Sequence, residues 1–251
     1  MRCVLELKSS NKIYLPINYN HIVQSWIYHS ISETLSSFLH DQGFSVENRT
    51  FRLFCFSRLM GNYAIDTVRK EIVYEGAVRL VITSPLPFFI EELVNGILSS
   101  PYIRLGRNEL TIEGIYNEMN EIKEERITLR VLSPITVYST MTKMDGKKYT
   151  VYFMPKESDY DEMITKNLLN KYQAICGNPL EMNQKCVHVE PLRRGRCIIV
   201  NYKNFIIKGY SGMVRLTGPA ALLQVAIDCG LGSKNSQGFG CVEVIHSNSS
   251  F

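Results

Sequence analysis

The chain has 251 residues, room for one large domain or two small ones, and either can bury a real core. Its 45% hydrophobic, 10% aromatic and 21% charged residues exclude wholesale disorder. The formal net charge of +4 leans only mildly toward acidic partners, and no apolar run approaches the roughly 18 residues of a membrane helix, so a soluble cytoplasmic protein without a membrane partner is expected.

The opening residues alternate and carry charges, which predicts a strand over 4–8 rather than a secretion signal. A helix follows, opening near Asn18 or Asn20, with Ile22, Val23, Trp26, Ile27, Ile31, Leu35 and Phe38 on one apolar face. Residues 51–59 and 71–83 are rich in β-formers, 87–98 read as a second helix and 102–116 as extended chain. Residues 117–126 are charged and polar, a linker or an exposed connection. The order then repeats. A strand is predicted over 127–138, and Asp145-Gly146 marks a hairpin turn between the runs 135–142 and 149–153. A helix over 159–175, strands over 196–208 and 212–217, a helix over 219–229 with Pro219 near its first turn, and a strand over 240–245 complete the chain. Two β-α-β-β-α-β units predict an α+β protein of two tandem ferredoxin-like (RRM-like) domains, 1–120 and 121–251, with a C-terminal glycine-rich loop. Seven cysteines, an odd number without a C-x-x-C pair, read as free buried thiols of a reducing compartment.

That loop is the strongest local signal: Gly230-Leu231-Gly232-Ser233-Lys234-Asn235-Ser236-Gln237-Gly238-Phe239-Gly240. Glycines let backbone N–H groups approach phosphates; Lys234 suits a phosphate, Asn235 and Gln237 suit base edges. The run follows a helix and leads into a strand, the reverse of a P-loop or a dinucleotide fingerprint. A plain helix-capping glycine and turn is the competing reading.

The run resembles the C-terminal signature of the repeat-associated RNA-binding superfamily, and more narrowly the sixth Cas protein family, the endoribonucleases that mature CRISPR precursor RNA. Gly209-Tyr210-Ser211-Gly212-Met213-Val214-Arg215-Leu216-Thr217-Gly218 supports the likeness, as do Leu15-Pro16-Ile17-Asn18-Tyr19, Phe38-Leu39-His40-Asp41-Gln42-Gly43-Phe44 and Phe51-Arg52-Leu53-Phe54-Cys55-Phe56-Ser57-Arg58-Leu59. The middle of the chain matches only loosely. The resemblance implies binding of CRISPR repeat RNA, the precursor crRNA, and its cleavage by 2′-OH attack, leaving 5′-OH and 2′,3′-cyclic phosphate ends. It also implies association with other Cas proteins of an interference complex, and it allows a homodimer.

Such a reaction needs a base for the 2′-OH, an acid for the leaving oxygen and a cation for the phosphorane. No cofactor and no metal are expected: the sequence has neither H-E-x-x-H nor paired Cys/His spacing. Of five histidines, His29 falls opposite the helix's apolar face and reads as exposed, His21 as a capping or exposed residue, and His188 and His246 have no evident partner. His40 sits where a helix breaks into a loop. The resemblance makes His40 the catalytic histidine, Tyr28 the catalytic tyrosine, and Arg52 the occupant of a position usually held by lysine. An arginine there can clamp a phosphorane but cannot carry a proton. In one straight helix Tyr28 and His40 would lie about 18 Å apart, so the helix is expected to break between them, with Ser36-Ser37 as the predicted break.

For the RNA backbone the candidates are Gly230, Gly232, Ser233, Lys234, Asn235, Gln237, Gly238 and Gly240, with Arg193, Arg194 and Arg196 on a basic turn. Lys203 and Lys208 are expected on the face of Lys234, and Phe51, Phe54 and Phe56 in the core rather than as base-stacking platforms. Two rivals stand beside the nuclease: a non-catalytic RNA-binding subunit of a CRISPR ribonucleoprotein, and an unrelated tandem RNA-recognition protein, whose aromatic signature is missing.

Overall fold

In the computed structural model, which describes residues 1–181, 186–192, 195–203 and 205–245, two antiparallel sheets carry three and two helices respectively. The first half runs β1 (Arg2–Lys8), β2 (Ile13–Pro16), α1 (Asn20–His29), α2 (Glu33–Ser37), β3 (Phe44–Val46), β4 (Arg49–Phe51), β5 (Cys55–Phe56), β6 (Met60–Asp66), β7 (Glu71–Thr83), α3 (Pro87–Leu98), β8 (Ile103–Leu105) and β9 (Asn108–Glu118). Strand β1 lies between β7 and β9, and β6 flanks β7, the strand order of a ferredoxin-like sheet. The second half runs β10 (Arg126–Val131), β11 (Val137–Thr142), β12 (Lys148–Phe153), α4 (Tyr160–Cys176), β13 (His188–Pro191), β14 (Arg196–Tyr202), β15 (Phe205–Ser211), β16 (Met213–Thr217), α5 (Ala220–Cys229) and β17 (Val242–Val244). Its sheet is ordered β13-β16-β10-β17, the same arrangement again. The hairpins β11–β12, around Asp145-Gly146, and β14–β15 are additions to it.

Each sheet buries its own core. Leu5, Leu7, Val23, Ile27, Leu80, Phe89 and Leu93 meet in the first, Leu129, Ile164, Leu168, Val214, Leu216, Leu223 and Val242 in the second. A smaller cluster of Val4, Cys55, Val81, Leu132 and Cys241 joins the halves. Polar bonds finish the joint: Ser133 Oγ donates to Phe56 O at 3.0 Å and accepts from Cys241 N–H at 2.9 Å.

Several elements depart from the sequence reading, each for a local reason. The long first helix is two helices. Ser30 closes α1 with its hydroxyl on Trp26 O at 2.9 Å, and Ser32 opens α2 by accepting the Leu35 N–H. The break therefore falls at residues 30–32, whereas Ser36 and Ser37 remain helical and lead into a widened turn, Phe38–Gln42, closed by Gly43 N–H on Phe38 O at 2.7 Å. The β-rich stretch 51–59 is interrupted by Leu53, whose φ of 53° ends pairing. Likewise the predicted strand 127–138 stops at Val131, and 102–116 is a tight hairpin.

Candidate active site

The break after α1 folds the chain back on itself. Tyr28, on the last turn of α1, meets His40 of the widened turn edge-on, with ring centroids 6.2 Å apart. Tyr28 also packs edge-on against Phe54 at 5.7 Å, and Phe54 stacks on Phe89 in the first core, so the phenol stands on a rigid base. Gly43 then lets the chain return: at φ 63° it passes so close to β4 that a Cβ would lie 2.7 Å from Phe51 O. The return brings Arg52 to the turn, where its guanidinium donates to His40 O at 2.7 Å. Three residues spread over 25 positions thus form one cluster, although only the chemistry of each, and not the route, was legible beforehand.

Electrostatics distinguish the three. Burial pushes the Tyr28 phenol above the ordinary tyrosine value, while the Arg52 charge and a hydrogen bond from it pull the other way. The net shift is upward, so the phenol is neutral near pH 7 and is a donor rather than a base. With Arg52 donating to the phenol oxygen, its proton is free for another acceptor. His40 is well exposed, and its Nδ1 lies 2.6 Å from Asp41 Oδ1. A carboxylate at that position favours the tautomer with the proton on Nδ1, and His40 lines the groove. Asp41 was not singled out as a site residue in the sequence; a carboxylate following a histidine has no distinctive signature.

The cluster opens into a groove of about 1400 Å³ running between the halves. Its far wall carries Ser233, Lys234, Asn235 and Gln237 of the glycine-rich loop, together with Tyr202 and Lys203. The two candidate regions therefore face each other across one space. The loop is held by three sets of bonds. Asn20 donates its amide to Gln237 O and Gly238 O at 3.0 and 3.2 Å. Asn235 donates to Leu231 O and Phe239 O, and Lys171 of α4 donates from beneath to Gly230 O and Gly232 O. Hence Asn20 does not cap its helix by its side chain, as the sequence suggested; it pins the loop instead. Asn235 spends its amide donor within the loop, and Gln237 Oε1 is buried without a partner among the described residues. Lys234 stands over the Tyr138 ring, 5.1 Å from its centroid. Gly230 both ends α5 and starts the loop, so the capping and phosphate readings share a residue. Lys208 borders an adjoining recess with Lys234. Arg196 is exposed at the start of β14 and is not among the groove-lining residues; Arg193, Arg194 and His246 lie outside the described residues. His188 finds a partner after all in Asp161, on the surface of the second half.

Gly238 is a glycine at which the loop packs against the first half. Its φ is 81°, and a Cβ would lie 2.5 Å from the Phe56 ring and 2.7 Å from the Asn20 amide. Gly238→Ala is expected to cost about 2–4 kcal/mol, from left-handed strain plus overpacking. Thermal unfolding checks it, and an unchanged midpoint would mean the loop does not pack on the first half as described.

Among the described residues no group of three or more His, Cys, Asp or Glu could hold a metal ion, and no helix is long and apolar enough to cross a membrane.

Solved structures with this architecture include an RAMP protein binding different RNA substrates (TM-score 0.81, 21% identity, 98% of this chain and all of that one). Another is a Cas6-related protein from Pyrococcus furiosus (TM-score 0.84, 22% identity, 99% of both chains). By fold, then, this is a tandem ferredoxin-like protein. Sequence narrows the class. Residues 14–116 match the family model for the N-terminal part of CRISPR-associated protein Cas6, and residues 117–244 match that for its C-terminal part. The chain is 32% identical over 248 residues to CRISPR-associated endoribonuclease Cas6 1 of Methanocaldococcus jannaschii, covering 96% of this chain and 92% of that protein. It is 28% identical to CRISPR-associated endoribonuclease Cas6 of Pyrococcus furiosus, covering 97% and 90%. The chain belongs to the Cas6 family.

Proposed function

We propose that this protein is an endoribonuclease that binds CRISPR repeat RNA in the groove and cuts it by metal-independent general acid–base catalysis. The observation that carries the reading is the convergence of Tyr28, His40 and Arg52 on the groove wall facing the glycine-rich loop. The endoribonuclease names of the two relatives agree with it. In domain terms, residues 1–120 supply the reacting groups and residues 121–251 the loop that seats the strand.

The reaction is a displacement at phosphorus. The 2′-oxygen attacks, the bond to the 5′-oxygen breaks, and the products are a 2′,3′-cyclic phosphate and a 5′-OH. His40 Nε2, its tautomer fixed by Asp41, takes the 2′-OH proton. The neutral Tyr28 phenol gives its proton to the departing 5′-oxygen. Arg52 lies close enough to both to stabilise the charge on the phosphorane. Returning the proton from His40 to Tyr28 through solvent resets the site.

The test uses end-labelled repeat RNA in excess chelator, beside a copy with 2′-deoxyribose at the mapped cut. Cleavage of the ribose copy alone is expected. Cleavage of the deoxy copy, or a requirement for added metal, would falsify transesterification without metal; binding of both without cleavage would favour a non-catalytic RNA-binding subunit.

A further inference from the structure

Lys171 is the one buried lysine among the described residues. It sits on α4 with only 2% of its surface exposed, yet it lines the floor of the groove. Its Nζ donates to Gly230 O at 2.7 Å and to Gly232 O at 2.8 Å, and the third donor has no partner among the described residues. Among the described residues no carboxylate pairs with it. Burying an ammonium is expensive, and such groups are ordinarily paired. The titratable groups facing it are two thiols, Cys55 from β5 and Cys229 from α5. Burial pushes both upward, Cys229 to about 12, so neither supplies an anion near neutral pH. Of the groove's other charged lining, Arg49, Arg52, Lys203 and Lys234 are cations, and the carboxylate of Asp41 is engaged with His40. One helical turn before Lys171, Asn167 lines the same floor, and its buried Oδ1 has no donor among the described residues. The floor is thus polar, positive and incomplete.

We infer that Lys171 is a positioning residue for RNA: its ammonium shapes the glycine-rich loop from beneath, and a phosphate of the bound strand is the counter-anion that the protein itself omits. The inference rests on the RNA-binding reading of the groove but not on cleavage. Two loop carbonyls drawn down onto one ammonium fix the path of residues 230–232, and so the height of Ser233 and Lys234 on the rim. A phosphate seated on that rim is stabilised by a charge lying in low dielectric, where it is screened less than a surface lysine's would be.

The sign of the pH dependence follows. In the free protein, burial holds the Lys171 ammonium down at about 8. An adjacent phosphate favours the charged form and raises that value, so the complex holds the proton more tightly than the free protein does. RNA affinity then falls as pH rises through about 8, by roughly tenfold between pH 7 and pH 9.

The full-length protein is titrated with repeat RNA carrying 2′-deoxyribose at the cut, so that binding is read without cleavage. Affinities are taken at about pH 7 and pH 9 and from about 50 to 200 mM salt. Wild type is expected to lose roughly tenfold on raising the pH, and Lys234→Met to keep that dependence. Lys171→Met should bind more weakly at pH 7, lose the pH dependence, and show a log–log salt slope shallower by about 0.7. Weaker binding with slope and pH profile unmoved would make Lys171 a structural clip only and overturn the inference. Wild-type affinity in the variant would do the same. Should Lys171→Met fail to fold, the wild-type and Lys234→Met profiles still decide: a flat profile overturns it, a shared fall supports it. All-ribose RNA is run alongside. Binding without cutting by wild type defeats the nuclease reading and leaves this one standing; no binding defeats both.

Discussion

Replacing His40 by alanine should slow cleavage of the repeat roughly a thousandfold while leaving RNA affinity within about threefold. The separation is expected because the one ring that meets the imidazole, Tyr28, is also held by Phe54. Its ring is exposed, its side chain bonds only to the neighbouring Asp41, and its link to Arg52 runs through the backbone oxygen, which alanine retains. Single-turnover cleavage and equilibrium binding of the deoxy-substituted RNA, measured on one preparation, read the two effects separately. Equal loss of both would make His40 structural. Undiminished cutting would place the base elsewhere on the groove.

The second large effect assigns the acid. Tyr28→Phe keeps the ring against Phe54 and His40 and removes only the phenol oxygen, so the scaffold survives. Cleavage of ordinary RNA should drop roughly a hundredfold. If Tyr28 protonates the leaving oxygen, the loss disappears on a substrate with sulfur in place of the bridging 5′-oxygen, since a thiolate departs without a proton. His40→Ala should remain slow on the same substrate, because the 2′-OH still needs a base. Rescue of His40→Ala instead of Tyr28→Phe would exchange the roles. The upward shift of the phenol argues for the assignment given, as a phenol above its ordinary value is a still poorer base at neutral pH.

Periodicity and turn chemistry carried much of this architecture. The Asp145-Gly146 hairpin, helix α4 and the short helix ahead of the glycine run were legible because the signals are local. The need for a break between Tyr28 and His40 was legible too, from distance alone. Its position was not: four serines lie in the region, and helix α2 survives on Leu35 packing into the core while Ser30 and Ser32 take the caps. Leu53 was hidden for a related reason. Its own propensity is unremarkable, and only tertiary packing holds it at φ 53°. Lys171 was invisible because α4 buries Thr165, Asn167 and Asn170 beside it, a polar face that hydrophobic periodicity reads as solvent-facing. A buried cation held by two glycine carbonyls leaves no trace in the sequence of the helix that bears it.

Leu53 and Phe54 are neighbours in the chain, yet Leu53 plugs the core of the second half and Phe54 that of the first. Arg52 hangs directly before this pair. On the ribosome, residues 28, 40 and 52 emerge early, but the socket for Leu53 is built from α4, α5 and strands made much later. The wall opposite, residues 233–237, is made later still. A nascent chain therefore carries residues 28, 40 and 52 before the wall that faces them exists, so the groove, and the chemistry proposed for it, is assembled only after residues 233–237 have been made.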